Sequence, residues 1–555
     1  MLKFTLKLFF ISIFFSNLFA QDTIQTDFLQ KDFKVSLEWL QEKPKSSAKD
    51  FFITQYLQNK DLDYEDAKLA YDMRNGRNAT LEKVFKQNFG DTLSDEDKFC
   101  YNASIEELKE TDGRCIALGL ASLKKVSLLS FKDINFFITK LDNYHTLKRD
   151  LQIIGSKDPL KALIQYESDV FFKIFFGVDN SYKHKYFNQA LKPKLLNKLT
   201  INKDFSRFIR AVMNDNNLSI LQKSFDTLKM NKSLASNIQF DLGLNAINHK
   251  NFQVAKEFFS NSYDIAIYRS EKDKALYWLY LTTKNNLFLE ELSTSFDVNI
   301  YSLYAKELLN IKSLNIKYDI DIEQKDTTYD IHDVFSWLDV TNDIRNNLDE
   351  NKLLKYSSLF SSNETKPHLA VVLERFNKYQ IGYFITPFKD LIEKYGIYKE
   401  VLIYSIARQE SRFIPSSVSF SGAQGVMQIM PFLSKDIAKK LNNEYNIYEQ
   451  FIPSKNIEYA SFHLDSLIKQ FDSNPLFIAY AYNGGAGYTR SQLKRGLFKE
   501  QNEFEPFLSM EMISFSETRE YGKKVLANFY IYNNYLNSEN KISLSTIFQN
   551  LVWRH

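Results

Sequence analysis

Ala407-Arg408-Gln409-Glu410-Ser411 is followed, after ten intervening residues, by Gly422-Ala423-Gln424-Gly425-Val426-Met427-Gln428-Ile429-Met430-Pro431. Val401 to Ala407 is almost wholly apolar and Pro415 stops the pattern soon afterwards, which predicts a helix ending near Glu410. Counting back three, four and seven from the acid gives Ala407, Ile406 and Ile403, so Glu410 shares the face that a fold would bury. Burial disfavours the charged carboxylate, and the partial negative charge of a helix C-terminus disfavours it further, so both raise the pKa. Such an acid is suited to protonating a leaving group near neutral pH. The bland alternative is a helix-end glutamate paired with Arg408 or Arg412.

Two downstream segments change that balance. Ala479-Tyr480-Ala481-Tyr482-Asn483-Gly484-Gly485-Ala486-Gly487 joins the end of an apolar helix to a loop whose glycines permit positive φ and close approach of a ligand. Aromatic faces beside amides suit sugar rings. Phe515-Ser516-Glu517-Thr518-Arg519-Glu520-Tyr521 then places a second acid before a helical pattern that runs towards Tyr535. Singly, Tyr and Asn near Gly read as a turn, and Ser516 or Glu517 as a helix cap.

In this order, with the lead-in Pro387-Phe388-Lys389-Asp390-Leu391-Ile392, the segments resemble the catalytic domain of the soluble lytic murein transglycosylases, over roughly Phe384 to Tyr535. The resemblance implies a lysozyme-like, mostly helical catalytic domain of the goose-lysozyme type. It further implies Glu410 as the catalytic acid/base and Ser419, Gln428 and Met430 lining a sugar groove. Tyr482 and Asn483 would lie against the reacting sugar, and Glu517 would form and orient the cleft. Two positions depart from the usual pattern, Gly484 where Ala is common and Val426 where Leu is common, and neither removes a polar group.

The carboxylate inventory bears on the reaction. Most glycosidases need two carboxylates, one to protonate the glycosidic oxygen and one to activate water or attack the sugar. Only Glu410 sits in an evidently catalytic motif. The resemblance implies cleavage of the β-1,4 bond between N-acetylmuramic acid and N-acetylglucosamine, with the muramic acid's own 6-hydroxyl closing a 1,6-anhydro ring and the N-acetyl group assisting, among the substrate-assisted exceptions. If Glu517 activated water instead, the enzyme would be a hydrolytic muramidase. A third reading is a non-catalytic scaffold that binds glycan or partners through its N-terminal part; the intact Glu410-Ser411 pair and the unbroken motif set count against it.

The region upstream differs in composition. Nine of the 16 glycines fall between Gly382 and Gly522, whereas between Pro193 and Pro367 there is no proline and one glycine, Gly243. Helix breakers are nearly absent there, so a mainly α array of paired helices is expected. Phe252-Gln253-Val254-Ala255-Lys256-Glu257-Phe258-Phe259 has the spacing of helical-pair repeats, and Lys274 to Leu279 reads as the next helix. The resemblance implies an N-terminal α-superhelical domain over 21–300, a helical linker domain over 301–380 and the catalytic domain over 381–545.

Lys3 and Lys7 flank the start of an apolar run from Leu8 to Phe15, and Ala20 precedes Gln21, so residues 1–20 read as a secretory signal peptide, with an uncleaved anchor as the alternative. No other apolar stretch approaches the roughly 20 residues of a membrane helix, so a soluble periplasmic protein is expected, with peptidoglycan strands as partner and cell-wall synthases or other envelope proteins as possible further ones. Cys100 and Cys115 are the only cysteines. They are placed either to close a disulfide across the Thr111-Asp112-Gly113 turn or to remain as two buried thiols. The net charge of +3 is nearly balanced and no basic stripe appears, which argues against nucleic acid as a partner. The seven histidines show no metal-ligand spacing, with His463 read as a helix-packing residue. No phosphate loop is present, so neither metal nor cofactor is expected.

Overall fold

The structure is a computed structural model and describes residues 26–90, 93–228, 233–325, 327–499 and 502–552. Its regular structure is helical apart from one pair of two-residue strands. Polar residues start many of the helices: Ser46, Asn78, Ser94 and Asp112 each accept a hydrogen bond from the first turn that follows. Backbone N–H groups that a helix end leaves over are thereby satisfied.

The N-terminal segment includes α1 (Ser47–Tyr56) and α2 (Ala79–Phe89). Phe28, Phe51, Phe52, Leu57, Leu81 and Phe85 form a small core of their own, completed by Val334, Phe335 and Phe451 from far along the chain. Phe52 lies 5.2 Å from Phe28 and stacks on Tyr448 at 5.8 Å. Helices this short are marginal alone, and burying aromatic faces supplies the stability they lack. The segment from Phe28 to Phe85 therefore packs on residues far along the chain and does not simply begin a row of helices.

Next, α3 (Asp95–Asn102) and α4 (Gly113–Gly119) are joined by a Cys100–Cys115 disulfide with Cα atoms 5.0 Å apart. Five helices then pack each on the next: α5 (Ser236–Asn248), α6 (Phe252–Ile265), α7 (Arg269–Thr283), α8 (Asn286–Ser293) and α9 (Ile300–Leu308). Ala255, Phe259, Leu276 and Trp278 are buried between them. Gly243, alone among helix formers, sits where α5 meets α6: a Cβ there would lie 2.5 Å from the Phe259 ring.

β1 (Ile316–Lys317) leads into α10 (Val334–Asn346) and α11 (Lys366–Phe376), and β2 (Gly382–Tyr383) returns to pair with β1 in parallel, Ile316 opposite Gly382. The C-terminal domain follows with α12 (Ile397–Glu410), α13 (Pro431–Lys440), α14 (Pro453–Gln470), α15 (Pro475–Gly484), α16 (Ala486–Lys494) and α17 (Ser516–Leu536). Proline opens α13, α14 and α15, where its missing N–H costs nothing. Val401 to Ala407 of α12 is wholly buried, and the helix packs on α14 and α17.

Array and C-terminal domain are joined by charged groups. Arg210 donates from Nε to Asp241 at 2.6 Å and from Nη1 to the Glu511 carbonyl at 2.6 Å. The buried Glu511 carboxylate takes Lys523 at 2.6 Å and the Tyr301 hydroxyl. Among the described residues no helix is long and apolar enough to cross a membrane. The segment read as a signal peptide lies outside the described residues.

The disulfide spans a separation of 15 residues, for which chain entropy gives about 3 kcal/mol of stabilisation. Replacing both cysteines by serine is expected to lower the stability of the α3–α4 region by about that much, read by hydrogen exchange of its amides with the C-terminal domain as an unchanged internal control.

Candidate active site

Glu410 is the last residue of α12, and beyond it the chain turns sharply. Arg412 and Phe413 adopt φ of 57° and 67°, in the left-handed region that non-glycine residues rarely occupy. Two fixtures hold this turn: Phe413 is buried, and Arg412 Nη1 lies 3.2 Å from Glu374 on α11. Arg408 makes a tighter contact with the same carboxylate, 2.7 Å from Nη2, and donates from Nη1 to the Tyr383 carbonyl at 2.5 Å. Burial alone would raise the Glu374 pKa, and the two guanidiniums more than offset it, holding the carboxyl below its ordinary value. Both arginines flanking Glu410 in sequence are thus committed to Glu374.

Glu410 itself forms no ion pair among the described residues. Its Oε1 accepts one hydrogen bond, from the Tyr521 hydroxyl at 2.7 Å. Burial pushes its pKa up to about 7; the Tyr521 bond works against the rise and the nearby Glu517 carboxylate adds to it. The raised value foreseen from the Ile403–Ile406–Ala407 face has that desolvation as its main cause, and all three residues are fully buried. Tyr521 has no role in the sequence reading. The available signal is its spacing: four residues after Glu517, it lies on the same side of α17.

The Ser417–Met430 loop is fixed from within. Gln424 and Ile429 exchange backbone hydrogen bonds at 3.0 Å, and Ser419 Oγ accepts from the Ala423 amide at 2.9 Å. Gln428, at φ 49°, donates its side-chain amide to the carbonyls of Ser417 and Gly425 at 3.0 and 2.9 Å. Gly425 has φ 77°, and a Cβ there would come within 2.2 Å of the Gln450 carbonyl oxygen. Asn456 pins the same turn, accepting from the Met427 amide at 2.7 Å and donating to the Gln424 carbonyl at 3.1 Å. Ser419 and Gln428 therefore spend their polar groups on loop shape, while Met430 stands at the N-cap position of α13 with no side-chain capping bond.

The loop is also docked onto the acid's helix. Ser411 Oγ donates to the Val426 carbonyl at 2.7 Å, and the Tyr482 hydroxyl to the Met427 carbonyl at 2.8 Å. Tyr482 lies close enough for the Glu410 charge to raise its own pKa, after burial as the larger cause. His463 packs with its ring 5.8 Å from that of Tyr482. Asn483 sits between α15 and α17: its Oδ1 accepts from Thr518 Oγ1 at 2.8 Å and its Nδ2 donates to Glu517 Oε1 at 3.4 Å. Gly484 also has a local reason, since a Cβ there would lie 2.8 Å from Thr518 Oγ1. Glu517 is exposed on the first turn of α17. Among the described residues no group of three or more His, Cys, Asp or Glu is placed to hold a metal ion.

One enclosed carboxyl that holds a proton near neutral pH, facing a braced loop and a tyrosine–asparagine pair, is the arrangement of a general acid acting on a polar ligand in a helical domain. Residues 387–504 match the family described as Transglycosylase SLT domain. It is 35% identical to the soluble lytic murein transglycosylase of Escherichia coli K12 over 149 residues, which is 26% of this chain and 22% of that protein. It is 31% identical to the protein of the same description from Salmonella typhimurium over 171 residues, 30% of this chain and 26% of that one. The matched stretch is therefore about a quarter of these relatives' own length. Among solved structures, the 70 kDa soluble lytic transglycosylase Slt70 of Escherichia coli aligns over 90% of this chain and 83% of its own, at 17% identity and a TM-score of 0.47.

Two outcomes follow from the electrostatics. Tyr521→Phe removes the bond that favours the carboxylate, so the Glu410 pKa should rise further, and the high-pH limb of kcat/KM should move up by roughly one pH unit. The second concerns stability. Because the folded-state pKa, about 7, exceeds the ordinary 4.5, the acid's contribution is fully present below pH 4.5 and is lost as pH rises through 7. Glu410→Gln, which stays neutral, should therefore be more stable than wild type at pH 8, by up to about 3 kcal/mol, with no difference at pH 4; denaturant unfolding of the C-terminal domain measures it.

Proposed function

We propose that the protein is a lytic transglycosylase that cleaves the β-1,4 bond between N-acetylmuramic acid and N-acetylglucosamine in peptidoglycan and leaves 1,6-anhydro ends. The observation that carries this reading is the enclosed, cation-free carboxyl of Glu410, inside a stretch similar to soluble lytic murein transglycosylases. In its protonated form, well populated near neutral pH, Glu410 donates its proton to the glycosidic oxygen as the bond to the anomeric carbon breaks. The carboxylate so formed is met by the Tyr521 hydroxyl, then takes the proton of the muramic acid 6-hydroxyl as that oxygen attacks the anomeric carbon. The acid ends protonated again and no water is consumed. A retaining or inverting hydrolase would need a second carboxylate at the reacting carbon. Glu517 is the other acid at hand; its position beside Asn483 supports a role in holding the sugar-facing amide.

In this reading Tyr482 and Asn483 lie against the reacting sugar, and Ser419, Gln428 and Met430 form the groove wall, the first two by shaping the loop. The substrate lies outside the cytoplasm, and a disulfide at Cys100–Cys115 supports a periplasmic setting, where such bonds persist.

The test is mass spectrometry of muropeptides released from purified peptidoglycan. Wild type should give products lighter by one water than those of a muramidase. Glu410→Gln should lower their release by roughly 10²- to 10⁴-fold. Hydrated products would overturn the transglycosylase reading and make Glu517 the base; no products from folded wild-type protein would favour a scaffold.

A further inference from the structure

A second concave surface lies where the N-terminal helices meet the active-site loop. It encloses a cavity of about 880 Å³, lined by Phe51, Gln55 and Gln58 of the N-terminal segment and by Phe420, Met430 and Phe432 across from them. Few large apolar side chains of the C-terminal domain are exposed, and two of them, Phe420 at 55% and Phe432 at 72%, meet at this concavity. Exposed aromatic faces gathered at one concavity mark a ligand surface, because an isolated monomer gains nothing from leaving them in water. The lining carries Lys31 and Lys435 against Asp50, Glu444 and Glu449; Asp50 is buried and held by the Asn75 amide and Asn78 Nδ2, which leaves two cations against two anions towards the cavity. Such a lining suits an uncharged ligand with apolar faces and polar edges, and glutamine amides opposite phenyl rings match the acetamido and hydroxyl edges of an N-acetylated sugar whose C–H face stacks on a ring.

We propose that this groove is an additional glycan-binding site, holding the part of the peptidoglycan strand that runs on from the sugars at Glu410; this rests on the function proposed above. Continuity supports it. The loop whose carbonyls at Val426 and Met427 bond to Ser411 and Tyr482 beside the acid is the same loop whose other end, Phe420 and Met430, lines the cavity. The two walls are held in register: the Phe51 ring lies 3.8 Å from where a Cβ on Gly422 would be, and Asn78 Nδ2 donates to the Phe420 carbonyl at 3.4 Å. The N-terminal helices would thus add binding for long strands without touching the reacting bond.

The experiment compares full-length wild type, Phe432→Ala and Gln55→Ala on two substrates, a tetrasaccharide and long peptide-free glycan strands. The expected result is an approximately tenfold loss of kcat/KM on long strands, through KM, with tetrasaccharide cleavage unchanged. Equal losses on both substrates, or none on either, would overturn the proposal. Strand affinity in the Glu410→Gln background separates the groove from the reaction. If Phe432→Ala leaves that affinity unchanged the groove is not a glycan site, whereas weaker binding upholds it even where wild type releases hydrated products.

Discussion

A carboxyl group half-buried against an apolar face and left without a cation is the constraint on which this site depends. Two arginines stand two residues away on either side of Glu410, and either one at hydrogen-bond distance would stabilise the carboxylate and discharge the acid. Two residues along a helix rotate the side chain by about 200°, which sends Arg408 to the far face of α12. Arg412, four residues on from Arg408, would share that far face if the helix continued; the chain instead turns left-handed at Arg412 and Phe413, and the guanidinium still reaches Glu374. Glu374 then collects both guanidiniums. Helix α11 thus takes up, through Glu374, the two cations that flank Glu410 in sequence.

The backbone conformation of that turn costs on the order of 1–3 kcal/mol per strained residue, and its repayment is local: a buried Phe413 ring and an ion pair to a carboxylate already shielded from solvent. Removing Glu374 would leave two neighbouring cations and release the turn at once, a much larger disturbance than the loss of one surface ion pair. The loop opposite is stiffened differently, by backbone pairs and by side-chain amides from Gln428 and Asn456. Polar residues that a motif reading assigns to ligand are here used to define the wall a ligand meets.

How much of this was legible in the sequence depended on whether a relation was local. The buried face under Glu410 could be read from a three-four-seven count, and the helical array from the absence of Pro and Gly over a long run. Tyr521 could not, because its contact with Glu410 crosses 111 positions and depends on how α17 lies on α12. The partner of the arginines was hidden in the same way, 34 residues upstream on a different element. Gly484 looked like an unexplained departure until Thr518 was placed against it. The nine-residue stretch around it holds no hint of Thr518, since only tertiary packing brings α15 and α17 together. The packing of the first helices against Val334, Phe335 and Phe451 is of this kind too: the amphipathic pattern says that a face is buried and leaves open which partner covers it.

That last packing ties the N-terminal segment to the C-terminal domain. Asn78 reaches the Phe420 carbonyl across 342 residues of chain, and the intervening helices must bring the N-terminal segment back to the loop with the right offset. Each of α5 to α9 is set against its neighbour by close contact, as at Gly243 and Phe259, so the array behaves as a spacer of defined length. The joint at Glu511, where Arg210, Tyr301 and Lys523 converge, fixes where that spacer meets the C-terminal domain. An array held at that joint and closing again at the loop leaves the loop little freedom to drift from Glu410. The N-terminal helices therefore share in positioning α12 and Glu410 against the loop.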